Sequence, residues 1–243
     1  MNVHIFDSKE QASKAGAILF AAQLMDDPES VLGFATGSTP LGLYAELVRL
    51  NQEGIISFQE ATTFNLDEYV GLEREHKESY HYFMHENLFS FLDIDEERVH
   101  VPDGMAVDPE SEAVWYEDMI DEAGGIDIQL LGIGINGHIG FNEPSNVFSQ
   151  ATHAVELTES TIEANARFFN DKSEVPRQAL TMGIGTIMGA MKIVLVAFGA
   201  NKAEAVKAMI DGPVDPQCPA SILQLHDDVT VLLDQEAASL LLE

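Results

Sequence analysis

Basic residues are scarce in this chain. Twelve lysines and arginines stand against 41 aspartates and glutamates among 243 residues, a formal net charge of −29. Nucleic-acid binding depends on a basic surface that neutralises phosphates, so that class of partner is excluded. Repulsion likewise argues against docking on an anionic membrane. A heavily solvated acidic surface accounts for the excess, and the scarcity of lysine raises adaptation to high salt as an expectation. Cysteine is nearly absent: Cys218 is alone, so no internal disulfide forms. That fits a reducing compartment, and the cytoplasm is the expected location. The first residues lack a basic region followed by an apolar core, so no signal peptide is expected. An uninterrupted membrane-length run is also missing. Residues 182–199 come nearest, but Lys192 and three glycines interrupt them, and a helix followed by a buried strand explains the pattern.

What is present is a globular composition, 46% apolar, enough for a substantial core. Strand-like runs at 3–6, 31–35, 62–66, 127–133, 193–198 and 229–233 alternate with helical patterns at 8–25, 41–50, 79–91, 110–122 and 202–210. Such alternation predicts an α/β fold: an open, mainly parallel sheet with helices on both faces. No repeat or linker divides the chain, so a single domain over 1–243 is expected. The more polar stretch 158–175 reads as a helical lid over the core.

The most informative segment runs from Leu131 to Pro144. An apolar strand breaks into Gly132 and Gly134, and the loop then carries Asn136, His138 and Glu143. Open α/β sheets bind ligands outside the carboxyl ends of their strands, where glycines allow tight turns and close approach. An imidazole between an amide and a carboxylate at that place reads as a catalytic loop. Two other strand exits add to it. After residues 31–35 comes Thr36-Gly37-Ser38-Thr39-Pro40 and then a helix, an anion cradle built of backbone amides and hydroxyls. It lacks the lysine of a nucleotide triphosphate loop. Pro40 suits a first helical turn. After residues 62–66 comes Asp67, placed for proton abstraction beside a carbonyl, although burial would have to strengthen so weak a base. Arg167 and Lys202 are conspicuous in so acidic a chain, since either cation could grip a phosphate.

These motifs together resemble the glucosamine-6-phosphate deaminase family. The resemblance is carried by residues 36–40, Asn65-Leu66-Asp67-Glu68-Tyr69-Val70-Gly71 and Gly137-His138-Ile139-Gly140-Phe141-Asn142-Glu143-Pro144. It continues through Asn165-Ala166-Arg167-Phe168-Phe169, Val175-Pro176, Ala179-Leu180-Thr181-Met182-Gly183 and Leu223-Gln224-Leu225-His226, in the expected order over nearly the whole chain. It implies conversion of a phosphorylated amino sugar, glucosamine 6-phosphate, to fructose 6-phosphate and ammonia, without an organic cofactor or metal. Asp67 would take the proton from carbon 2, His138 would open the sugar ring, and Glu143 would orient and support His138. Thr36, Gly37, Ser38, Thr39, Arg167 and Lys202 would hold the substrate phosphate.

Two departures stand out. Larger members of the family carry aspartate where this chain has Asn136, which can hydrogen-bond the imidazole without adding an anion. Larger members are also hexamers activated by N-acetylglucosamine 6-phosphate through cationic residues after the Asn-Glu-Pro motif and a C-terminal extension. Here that stretch holds His153 and Val155, and the chain ends at Glu243. An unregulated monomer or small homo-oligomer with hyperbolic kinetics is therefore expected. Two rival readings are a 6-phosphogluconolactonase-like hydrolase and a non-catalytic sugar-phosphate sensor. The Phe141-Asn142-Glu143-Pro144 version of the loop weighs against the first. The missing DNA-binding module, with Asp67, His138 and Glu143 all present, weighs against the second.

Overall fold

The computed structural model describes residues 1–159, 162, 163, 169, 171 and 174–241. Most of the lid expected at 158–175 therefore lies outside the described residues. The first half of the chain forms β1 (Asn2–Phe6), α1 (Lys9–Asp26), β2 (Val31–Phe34), α2 (Leu41–Gln52), β3 (Thr62–Asn65), β4 (Asp67–Tyr69) and α3 (Tyr80–Asn87). Then come β5 (Val99–His100), α4 (Pro109–Glu122), β6 (Ile128–Leu131), β7 (His153–Glu156) and β8 (Gln178–Thr181). A short helix, Ile184–Met188, leads to β9 (Lys192–Ala197), and the helix Ala203–Asp211 leads to β10 (Val229–Asp234).

Local chemistry explains the helix starts. Ser8 and Ser79 sit in extended conformation at the N-caps of α1 and α3, and their hydroxyls accept the amides of Gln11 and Tyr82. Asp108 does the same for α4, followed by Pro109, whose missing amide proton costs nothing there.

Among the described residues, seven strands form one sheet in the order β1-β10-β9-β6-β2-β3-β5, every neighbouring pair parallel. Apolar side chains fill both faces. Phe20, Leu43, Leu47 and Met84 of α1 to α3 pack with Leu32, Phe34, Leu130 and Val196. On the other side Tyr116, Ile120, Val206 and Met209 pack with Phe64, Leu131, Leu195 and Leu233. The expected parallel α/β sheet with helices on both faces is therefore the observed one. Among the described residues no helix is long and apolar enough to cross a membrane.

The sequence patterns leave out a second sheet, β4-β8-β7, with antiparallel pairs. Only Leu66 separates β3 from β4. Its amide donates to the Phe34 carbonyl of the large sheet at 3.0 Å, and its own carbonyl accepts the Met182 amide at 2.7 Å. β4 is closely backed: a Cβ at Gly104 would lie 2.1 Å from the Tyr69 carbonyl oxygen and 3.3 Å from Glu68 Cγ. Gly104→Ala is thus expected to destabilise the fold by about 1–3 kcal/mol, the usual range for overpacking. Urea unfolding should show a lower midpoint with an unchanged slope; an unchanged midpoint would mean that β4 yields freely.

Candidate active site

The chain leaves β2 and β6, adjacent strands near the middle of the sheet, in opposite directions: β3 lies on one side and β9 on the other. That is the switch point where an open parallel sheet leaves a crevice. Loops from the carboxyl ends of β2, β3, β6 and β9 close around a cavity of about 770 Å3, the size of a small-molecule site. Thr36, Gly37, Thr39, Asp67, Asn136, His138, Glu143 and Lys202 all line it. Eight of the ten candidate residues are thus brought together.

Asp67 begins β4 immediately after the crossing at Leu66, and only 6% of its surface is exposed. Among the described residues no donor is hydrogen-bonded to its carboxylate. Burial, and then the neighbouring Glu68 charge, push its pKa up to about 8. The base that looked too weak in sequence is strengthened by its surroundings.

The imidazole loop is ordered by its own polar groups. Asn136 Nδ2 donates to Glu143 Oε2 at 2.6 Å, while Asn136 Oδ1 lies 2.7 Å from His138 Nδ1. A carbonyl oxygen only accepts, so this network assigns the proton to Nδ1 and leaves Nε2 as the basic nitrogen. Glu143 Oε1 stands 3.4 Å from the same Nδ1. The loop permits this packing because a Cβ at Gly134 would meet the His138 ring at 2.3 Å. The turn between them uses Gly137 at φ +85°, a conformation open to glycine.

At the opposite wall the loop after β2 runs into α2. Pro40 occupies the cap position, and no side chain caps the helix start. The hydroxyls there are therefore not spent on capping, and the first amides of α2 stay available to an anion. Tyr44 braces this exit: its hydroxyl donates to the Ala35 carbonyl and accepts the Ala35 amide. Ser38 is exposed and does not line the cavity. Lys202 is half-buried, its Nζ donating to the Ile133 carbonyl at 2.7 Å, and burial lowers its pKa. Arg167 lies outside the described residues.

Phe141 and Asn201 also line the cavity without a role read from the sequence, and so does Tyr80, whose role the sequence left open. Tyr80 and Phe141 stack with nearly parallel rings, 6.1 Å apart. A tyrosine just after a serine cap gives no sequence signal that separates it from an ordinary core aromatic.

A family profile described as glucosamine-6-phosphate isomerases/6-phosphogluconolactonase matches residues 8–232. Relatives divide that class. A glucosamine-6-phosphate deaminase of Alkaliphilus oremlandii (strain OhILAs) is 55% identical over 241 residues, 99% of this chain and 100% of the relative. The deaminase of Halothermothrix orenii is 52% identical with the same coverage. A solved monomeric glucosamine-6-phosphate deaminase superposes with a TM-score of 0.95 at 48% identity, covering 99% of this chain and 100% of that one. A 6-phosphogluconolactonase from Trypanosoma cruzi reaches a TM-score of 0.77 at 20% identity, covering 98% of this chain and 96% of that one, a likeness of fold alone. The chain belongs to the glucosamine-6-phosphate deaminase family.

The buried carboxylate has a cost. Its pKa rises from about 3.9 in the unfolded chain to about 8 in the fold. Between those values the folded chain holds a proton that the unfolded chain has lost, so this contribution to stability is complete below about pH 4 and disappears as pH rises through about 8. Each pKa unit corresponds to about 1.4 kcal/mol. Asp67→Asn is therefore expected to raise the melting temperature above wild type at about pH 9, with the gain shrinking at about pH 5. Equal differences at both pH values would show that the carboxylate is not held against ionisation.

Proposed function

We propose that this chain converts glucosamine 6-phosphate and water to fructose 6-phosphate and ammonia, a step of amino sugar catabolism. The observation that carries the reading is the pairing, in one cavity, of the deeply buried Asp67 with the hydrogen-bonded Asn136, His138 and Glu143 array.

In this reading the substrate phosphate takes the α2 end of the cavity, held by the backbone amides of Thr36, Gly37, Ser38 and Thr39, by the hydroxyls of Thr36 and Thr39, and by Lys202 and Arg167. Anchoring there delivers the sugar carbons to the reactive groups at little entropic cost. His138 Nε2 takes the proton of the anomeric hydroxyl, and the ring oxygen receives a proton as the ring opens to the aldehyde. Asn136 keeps the imidazole in the tautomer this requires, and Glu143 supports the cation that forms transiently. Asp67 then removes the proton from carbon 2, made acidic by the adjacent carbonyl. Its return at carbon 1 yields an imine at carbon 2. Water adds to that imine, the carbon–nitrogen bond breaks, and ammonia leaves the ketose. A base with a raised pKa is matched to such reversible transfers near neutral pH.

The monomeric deaminase that superposes at a TM-score of 0.95 supports a monomeric state. His153 and Val155, where an effector site would need cations, support hyperbolic kinetics without an activator. The cytoplasmic setting rests on the single cysteine.

The deciding assay couples ammonia release from glucosamine 6-phosphate to detection of fructose 6-phosphate. Wild type should turn over, and Asp67→Asn should lose roughly 10²- to 10⁴-fold in kcat, the usual worth of a general base. Folded wild type without turnover would overturn the reaction; a fully active Asp67→Asn would overturn only the base. Asn136→Asp sets a second anion beside Nδ1, which favours the imidazolium. The acid limb of its rate profile should move to higher pH, and an unmoved limb would break the link between the two side chains.

A further inference from the structure

A second carboxylate lies beneath the site. Glu68, next to Asp67 on β4, is 3% exposed. Its Oε1 accepts the amides of Tyr69 at 2.8 Å and Tyr80 at 2.9 Å, and its Oε2 accepts the amide of His81 at 2.9 Å. Tyr80 and His81 open α3, so their amides have no acceptor within the helix, and an anion is favoured at that end. Glu68 thus fastens the start of α3 to the strand that carries Asp67. Gly104 closes over its stem.

The residue seated in this way is Tyr80, and it touches three walls of the cavity. Its hydroxyl donates to the Tyr69 hydroxyl on β4 at 3.2 Å. The same phenol interacts with the Thr36 side chain of the loop after β2. Its ring lies parallel to that of Phe141, within the loop that carries His138 and Glu143. Thr36, Asp67, Tyr80 and Phe141 all line the same cavity.

We propose that Tyr80, seated by the Glu68 carboxylate, is a positioning residue that fixes the separation between the phosphate loop and Asp67, and so selects which carbon of a bound sugar phosphate meets the base. The proposal rests on the function given above. A phosphate held at one end makes the cavity a ruler, and a ruler works only if its two ends do not move apart. Loosening it leaves the phosphate contacts in place while the reacting carbon drifts, a fault that costs rate more than binding.

The test is the steady-state kinetics of Tyr80→Phe and Glu68→Gln with glucosamine 6-phosphate. Tyr80→Phe keeps the ring and its stacking but loses both hydroxyl contacts. Its kcat should fall roughly 10- to 100-fold, with KM within about threefold of wild type. Glu68→Gln should fall in the same direction. The double variant should be no worse than the poorer single one, because both remove one device. Wild-type kcat in Tyr80→Phe, or a loss confined to KM, would overturn the proposal, the latter making Tyr80 a plain binding residue. If Glu68→Gln fails to fold, Tyr80→Phe decides alone. Wild type that releases no ammonia would sink the reaction itself, an outcome distinct from an active wild type matched by Tyr80→Phe.

Discussion

The site depends on the single-residue step at Leu66. Its amide is held by the large parallel sheet and its carbonyl by the Met182 amide that follows β8. With only one residue between two sheets, the chain has no slack at the point where Asp67 emerges. The carboxylate is set by backbone hydrogen bonds on both sides instead of by a mobile loop. Its neighbours then follow: β8 pairs with β4 from Tyr69 back to Asp67, and the Thr181 hydroxyl at its end accepts the Phe141 amide at 3.1 Å. The imidazole loop is thereby built on the same corner as the carboxylate.

Two acidic side chains are buried in succession at that corner, and they are treated differently. Glu68 is surrounded by amides that suit its ionised form, although burial still pushes its pKa up to about 7. Asp67 has no such donors among the described residues and faces the cavity. The contrast divides the work: one carboxylate holds structure together, and the other is left poorly solvated and ready to accept a proton. Environment separates the two, since the residues are chemically close and adjacent in the chain.

Much of this was legible in the sequence. Runs of β-branched and apolar residues such as 193–198 announce buried parallel strands, and the glycines around His138 mark the crevice loop. The β4-β8-β7 sheet was not legible, because β4 follows β3 after a single residue, and β7 and β8 lack the longer apolar runs that mark the parallel strands. Ala179-Leu180-Thr181 instead belongs to a motif that carries the family resemblance. Asp67 was recognised by position, but its raised pKa arises from burial between two sheets, which no local pattern records. Ser38 reads as an anion ligand in Thr36-Gly37-Ser38-Thr39-Pro40, yet it is exposed and off the cavity wall. Motif membership alone does not separate side-chain ligands from residues that lend only their backbone. The role of Tyr80 stayed open in the sequence for the opposite reason: its contacts reach three segments distant in sequence.

Lys202 brings out a further consequence. Its ammonium already sits half-buried with one hydrogen bond to the Ile133 carbonyl. Much of its hydration shell has thus been removed during folding, and its long side chain is already ordered. An arriving anion meets a cation with one N–H already held by the Ile133 carbonyl and two further donors to offer, so less water and less side-chain freedom are lost than at a free lysine. The chain that carries so few positive charges keeps this one tethered at the threshold of its cavity.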